Sequence, residues 1–178
     1  MALNPRIMPP AIGAAVVAIL LHFTGAMEGK DNAVYFDGIG RVNTACFGHT
    51  GPELKRGMQF SDEQCAGLLT ADLKTAFDGV SACVTRDDLD PHVWASLTDL
   101  AFNVGVGPVC ASTMVRKINA GEAAPCDEFM RWIKAGGKDC RVSSSGCRGI
   151  VTRRRAERAL CEAGNLPDTA AIEQDGTQ

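Results

Sequence analysis

Two carboxylates and a hydroxyl follow one another near the N-terminus, Glu28, Asp37 and Thr44, with His49 shortly after in TACFGHTG. A carboxyl pair suits general acid–base work, in which one protonated group delivers a proton to a leaving oxygen and one ionised group activates water. The flanking residues favour opposite states for the two. Glu28 ends an uncharged apolar run, where desolvation is expected to raise its pKa and keep it protonated. Asp37 opens the polar turn DGIGRVN and is expected to stay ionised. Thr44, on the strand returning from that turn, is a candidate to hold a water opposite the acid.

These residues need elements to hold them. Val34–Phe36 and Thr44–Phe47 read as two short strands, joined by a turn carrying Asp-Gly and a further glycine. Ser61 and Gln64 form a capping box that opens a helix through Phe77. Asp90-Pro91 caps and starts another, with an apolar face of Val93, Leu97, Leu100 and Ala101 that ends at Asn103-Val104-Gly105. Ser112 or Thr113 caps a short helix to Asn119, stopped by Gly121. Pro125 opens a helix through Ala135 closed by Gly136-Gly137, and Thr152 opens a last one to Ala163 ended by Gly164. The outline is α+β and mainly helical: a small N-terminal β hairpin, then helices.

Ahead of Glu28, no charged residue occurs from Ile7 to Met27. Arg6 and the amino terminus give the positive flank that keeps this end cytoplasmic and exports the rest. As a membrane span the run is weak, because Pro9, Pro10, Gly13, His22, Thr24 and Gly25 interrupt it. Ile12, Val16, Val17, Ile19, Leu20, Leu21 and Phe23, at about −0.5 kcal/mol each, give insertion on the order of −3 to −4 kcal/mol. Two readings stay open: a secretory signal cleaved near Thr24-Gly25-Ala26, or a retained segment that later leaves the bilayer. The second keeps a rigid support under Glu28, which catalytic carboxylates require.

The chain has 178 residues, enough for one domain with a sizeable core. A net charge of −3 gives no global basic footprint and argues against nucleic acid. The basic run Arg153–Arg155 reads as a solvated helix face. All eight cysteines lie beyond the apolar segment: Cys46, Cys65, Cys83, Cys110, Cys126, Cys140, Cys147 and Cys161. They show neither the close CxxC pairs nor the histidines at short spacing that a zinc site would favour, so disulfides in an oxidising compartment are expected, and no metal. Cys140 and Cys147 flank the short polar loop RVSSSG and are the first pair to expect.

The ordered residues resemble the phage-type lysozymes, glycoside hydrolases of family 24, and within them the signal-anchor-release endolysins. The family pattern places eight residues between glutamate and aspartate and five between aspartate and threonine. Here eight separate Glu28 from Asp37 and six separate Asp37 from Thr44, so one extra residue is assigned to the hairpin turn. AFNVGVG (Ala101–Gly107), STMVRKINAGE (Ser112–Glu122), RWIKAGG (Arg131–Gly137) and TRRRAERALC (Thr152–Cys161) extend the resemblance in order.

The resemblance implies a two-lobed lysozyme-like fold that inverts at peptidoglycan's β-1,4 bond between N-acetylmuramic acid and N-acetylglucosamine. Glu28, Asp37 and Thr44 would be catalytic, Asn103 a saccharide contact, His49 a structural partner of a carboxylate, and Arg155 the partner of Glu28. Trp132 is read as core. Residues 1–27 would form the releasable segment, 28–166 the catalytic domain and 167–178 a polar tail. Implied partners are the peptidoglycan, the host inner membrane through residues 7–27, the export machinery and, functionally, a holin; no cofactor is implied, and a monomer is expected. The enzyme would be exported to the periplasm, first tethered and inactive and later released. The alternatives are a lytic transglycosylase, which needs the glutamate but no water-activating Asp37, and a catalytically dead wall-binding or decoy protein.

Overall fold

The uncharged run folds as a helix, α1 (Pro10–Met27), in a computed structural model that describes residues 10–38 and 41–164. Arg6, the start of the apolar run at Ile7–Pro9, two residues of the first hairpin turn and the tail from Pro167 lie outside the described residues. Val16, Leu20 and Thr24 recur every fourth position along α1 and are buried, so one stripe of the helix faces the body of the protein. Val16 and Leu20 join the main hydrophobic core there. The last turn carries the chain straight into Glu28, whose N–H donates to the Thr24 carbonyl at 3.0 Å. Among the described residues, no helix is long and apolar enough to cross a membrane.

Three antiparallel strands follow, β1 (Asp31–Asp37), β2 (Val42–Cys46) and β3 (His49–Thr50), in the order β1-β2-β3. The two expected strands are present, with β1 longer, and Phe47 belongs to the turn into β3. That turn is tight: Cys46 and Gly48 both adopt positive φ, +57° and +86°, which reverses the chain within two residues.

The helix α2 (Asp62–Ser81) starts at its expected capping box, with Ser61 Oγ accepting from the Gln64 N–H at 3.1 Å and Gln64 Oε1 accepting from the Ser61 N–H at 2.8 Å. It runs one turn beyond Phe77 and joins two hydrophobic centres. Cys65 packs with Val34, Ala45, Cys46 and Leu54 beneath the sheet. Leu69, Leu73, Ala76 and Val80 belong to the larger helical core. The lobes of the expected two-lobed fold are these two centres.

Helix α3 (Pro91–Val104) runs through the middle of the helical lobe, buried without a break from Val93 to Ala101. Short helices α4 (Val106–Cys110) and α5 (Thr113–Ala120) follow, the second capped by Ser112 and stopped by left-handed Gly121 as expected. The next segment departs from expectation. Pro125 opens a 3-10 turn ending at Arg131, and Lys134–Ala135 (β4) pairs with Lys138–Asp139 (β5). Gly136 and Gly137, at φ +54° and +78°, make the hairpin turn rather than a helix stop, the conformation a tight two-residue hairpin demands. The final helix α6 (Arg148–Ala163) begins one turn earlier than Thr152. Trp132 is half-buried against the main core.

All eight cysteines are paired. Cys46–Cys65 ties β2 to α2, Cys83–Cys110 ties the end of α2 to α4, Cys126–Cys161 ties the 3-10 turn to α6, and Cys140–Cys147 closes the polar loop. In a chain-entropy picture, closing the 35-residue span from Cys126 to Cys161 contributes about 3–4 kcal/mol.

Candidate active site

A cleft of about 570 Å³ lies between the lobes, and Glu28, Tyr35, Asp37, Thr44, Gly48 and Asn103 are among its lining residues. Glu28 reaches it from the end of α1, Asp37 and Thr44 from the sheet, and Asn103 from the last turn of α3. The strand register sets the geometry of the sheet side. Tyr35 pairs with Thr44 and Asp37 with Val42, so all four side chains project from one face of the β1-β2 ladder. Asp37 is then the diagonal neighbour of Thr44. The extra residue between them is absorbed in the turn, where Asp37 and Val42 close the ladder, and the two keep a common face. Shifting the pairing by one residue would have turned one of them away.

Thr44 is 4% exposed, and its Oγ1 finds no hydrogen-bond partner among the described residues. A buried hydroxyl without a partner is costly, so this one is placed to bind a water or a ligand group in the cleft. Tyr35 stands beside it, and burial together with the charges of Asp37, Asp31 and Glu28 pushes its phenol above its ordinary range. Gly48 lies against Glu28: a Cβ there would meet Glu28 Oε2 at 4.0 Å.

The setting of Glu28 is not the apolar one that the sequence predicts. Its side chain is 22% exposed, and Oε1 accepts a hydrogen bond from Nη1 of Arg153. Arg155 is exposed on α6 and is not this partner. On a helix, residues two apart lie about 200° around the axis from each other. Arg153 and Arg155 therefore cannot serve the same face, and only Arg153 looks towards α1 and α3. Nor is the arginine run a solvated face. Arg153 is 8% exposed and Arg154 fully buried, leaving Arg155 alone in solvent.

Behind Glu28 these arginines enter a buried ionic cluster. Both oxygens of fully buried Asp99 accept from Arg153, Oδ2 from Nε at 3.1 Å and Oδ1 from Nη2 at 3.0 Å. Burial alone would lower the Arg153 pKa, but the charges of Asp99 and Glu28 outweigh it and hold the guanidinium above its ordinary value. Arg154 donates to Asn103 Oδ1, fixing the orientation of that cleft residue. Glu157, fully buried, lies 3.1 Å from Arg154 Nη1 and 3.3 Å from Arg153 Nε.

Burial pushes the Glu157 carboxyl up to about 9; Arg154 opposes the shift and Asp99 adds to it. Because the folded form holds this proton more tightly than the unfolded one, stability from Glu157 is present below its ordinary value of 4.5 and is lost as pH rises towards 9. Glu157→Gln, which cannot ionise, is expected to flatten the fall of melting temperature with pH across that interval. Thermal melts of both proteins at several pH values check it.

His49 is not among the residues that line the cleft. Its Nδ1 contacts Asp72 at 2.7 Å and its Nε2 contacts Glu53 at 2.8 Å, so it joins β3 to α2 as a partner of carboxylates. Burial lowers its pKa, but these two bonds overcome that and raise it. Among the described residues, no group of three or more His, Cys, Asp and Glu side chains is placed to hold a metal.

Sequence reading missed Thr24, Asp99, Arg153 and Glu157. The legible signal was spacing: Thr24/Glu28, Asp99/Asn103 and Arg153/Glu157 are polar pairs one helical turn apart, on three different helices.

Two lobes bridged by one long helix, with carboxylates entering the cleft from a helix end and from a small sheet, define a lysozyme-like hydrolase. The chain belongs to the phage lysozyme family, whose family model matches residues 25–157. It is 32% identical over 166 residues to a protein of bacteriophage PS119 named SAR-endolysin, covering 90% of this chain and 94% of that one. A SAR-endolysin of Enterobacteria phage P21 is 35% identical over 158 residues, covering 85% and 90% of the two chains. In fold the chain is similar to an endolysin from the Escherichia coli O157:H7 phage FAHEc1, with a TM-score of 0.68, 22% identity and coverage of 94% and 98%.

Proposed function

We propose that the protein is an endolysin acting on peptidoglycan: a muramidase that hydrolyses the β-1,4 bond between N-acetylmuramic acid and N-acetylglucosamine to lyse the host cell. Glu28 is the general acid. It gives its proton to the glycosidic oxygen as the bond from that oxygen to the anomeric carbon breaks. A water held by Thr44 attacks that carbon from the opposite face and yields its proton to Asp37, so the configuration inverts. Asn103, held by Arg154, meets a saccharide group at the cleft rim. The observation that carries this reading is the buried, unpartnered Thr44 hydroxyl on the same face as Asp37, in one cleft with Glu28.

The order of the helix and the acid supports a control by location. Residues 7–27 lie in the inner membrane after export, with the N-terminus cytoplasmic and the catalytic domain in the periplasm. The stripe Val16, Leu20 and Thr24 cannot lie in lipid and pack on the core together. The tethered enzyme thus lacks its acid in place and is inactive; release lets α1 dock and completes the site as a soluble monomer. A holin is the functional partner of that step. The SAR-endolysin names of the relatives support this reading.

Asp37→Asn is expected to lower kcat by about 10²–10⁴-fold with little change in KM. Thr44→Val, which keeps shape and removes only the hydroxyl, lowers it less. Steady-state rates on soluble peptidoglycan fragments check both. An Asp37→Asn enzyme that works at the wild-type rate and yields anhydro sugars would be a transglycosylase instead.

A further inference from the structure

Asp99 is a charged residue in the middle of the most buried helix, and it touches neither the cleft nor solvent. Its oxygens serve two elements at once. Arg153 binds through Nε and Nη2, a bidentate grip that fixes the guanidinium plane and leaves Nη1 aimed at Glu28. Thr24 Oγ1 donates to Asp99 Oδ1 at 2.7 Å. Thr24 lies one turn before Glu28 on α1, is fully buried, and its carbonyl accepts the Glu28 N–H. Glu28 is therefore held at its carboxyl group through Arg153 and at its backbone through Thr24, and both lines of contact end on the same carboxylate.

We infer that Asp99 is the positioning residue for Glu28, and that the Thr24 hydroxyl is the latch by which α1, once packed on the body, sets Glu28 against Arg153. The inference rests on the reading of Glu28 as the acid. A carboxylate shared by the incoming helix and by the arginine makes docking and alignment one event: α1 shifted by a turn would offer Asp99 no hydroxyl and would take Glu28 away from Arg153 Nη1. A threonine in an otherwise apolar stripe has a reason in this contact. It tolerates lipid when the helix is inserted and finds its acceptor only in the docked form.

The alternative is a buried ionic group that stabilises the fold and nothing more. Kinetic constants separate the two, because a positioning role acts on kcat rather than on folding or KM. The test uses purified full-length protein on soluble peptidoglycan fragments, with melting temperature as the check on folding. Thr24→Val removes the hydroxyl at constant volume. It is expected to lower kcat about tenfold with KM unchanged, because small misplacements of a reacting group carry losses of up to about 10²-fold. Thr24→Ser restores turnover. Asp99→Ala, which removes both acceptor oxygens, loses more, and adding Thr24→Val to it lowers kcat little further, because the hydroxyl then has no acceptor left to lose.

A Thr24→Val enzyme with wild-type kcat, a Thr24→Ser enzyme no better than Thr24→Val, or losses that multiply in the double variant would each overturn the inference. If Asp99→Ala fails to fold, the Thr24 pair decides alone. Glu28→Gln in the same series separates the two layers. If Glu28→Gln is dead while Thr24→Val turns over normally, only the positioning role falls. If Glu28→Gln turns over normally, the acid assignment falls and takes the inference with it.

Discussion

Glu28→Gln lowers kcat by about 10³-fold or more, at or beyond the middle of the range for removing a general acid, and leaves KM close to wild type. The substitution keeps size and a hydrogen-bond acceptor for Arg153, so the cluster behind it stays assembled around Asp99. What it removes is the transferable proton. The leaving sugar oxygen must then depart as an alkoxide, and no other described carboxyl on the α1 side of the cleft can replace it: the remaining acidic lining residues, Asp37 and Asp72, belong to the sheet and to α2. Steady-state kinetics on soluble fragments, with melting temperature in parallel, check the prediction. A folded Glu28→Gln protein retaining even a tenth of wild-type kcat would remove Glu28 from the acid role.

The second large effect concerns release. Gly13→Leu combined with His22→Leu is expected to hold the enzyme in the membrane and to slow host lysis several-fold, while purified protein in its docked form keeps wild-type turnover. Insertion of the native segment is on the order of −3 to −4 kcal/mol, so two leucines at about −0.5 kcal/mol each are a sizeable change. They also remove a glycine and a histidine that oppose insertion. Roughly 1 kcal/mol shifts a two-state equilibrium about fivefold. The docked form tolerates both changes. Nothing lies within 4 Å of a Cβ built at Gly13, and His22 is exposed. Lysis timed in cells, beside activity of the purified variant, separates retention from damage. Lysis as fast as wild type would end the case for control by the membrane segment.

The parts of this protein that were legible in its sequence are those set by neighbours in the chain. The capping box at Ser61 and Gln64, the Asp90-Pro91 start and the left-handed stop at Gly121 each act over a few residues, and each stands where expected. Cys140–Cys147 joins cysteines only seven positions apart and was the first pair to expect. Gly136-Gly137 was misread because a glycine pair with positive φ both ends helices and turns hairpins, and only the pairing of Lys134–Ala135 with Lys138–Asp139 decides between them. The one-turn spacing to Asn103 was the one local sign Asp99 gave, and it did not show the role, since the partners lie 75 and 54 positions away in Thr24 and Arg153. The arginine run misled for a related reason. Three consecutive cations look solvated by composition, yet the helix turns two of them inward to buried acids.

The central claim is that this cleft hydrolyses a glycosidic bond with Glu28 as its acid, and the products of wild-type and Glu28→Gln protein on purified peptidoglycan test it most directly. Wild type is predicted to release fragments that carry new reducing ends on N-acetylmuramic acid, with one water added across each cleaved bond, and Glu28→Gln to release them at least about 10³-fold more slowly. Anhydro-sugar ends, or equal release by both proteins, would contradict the account.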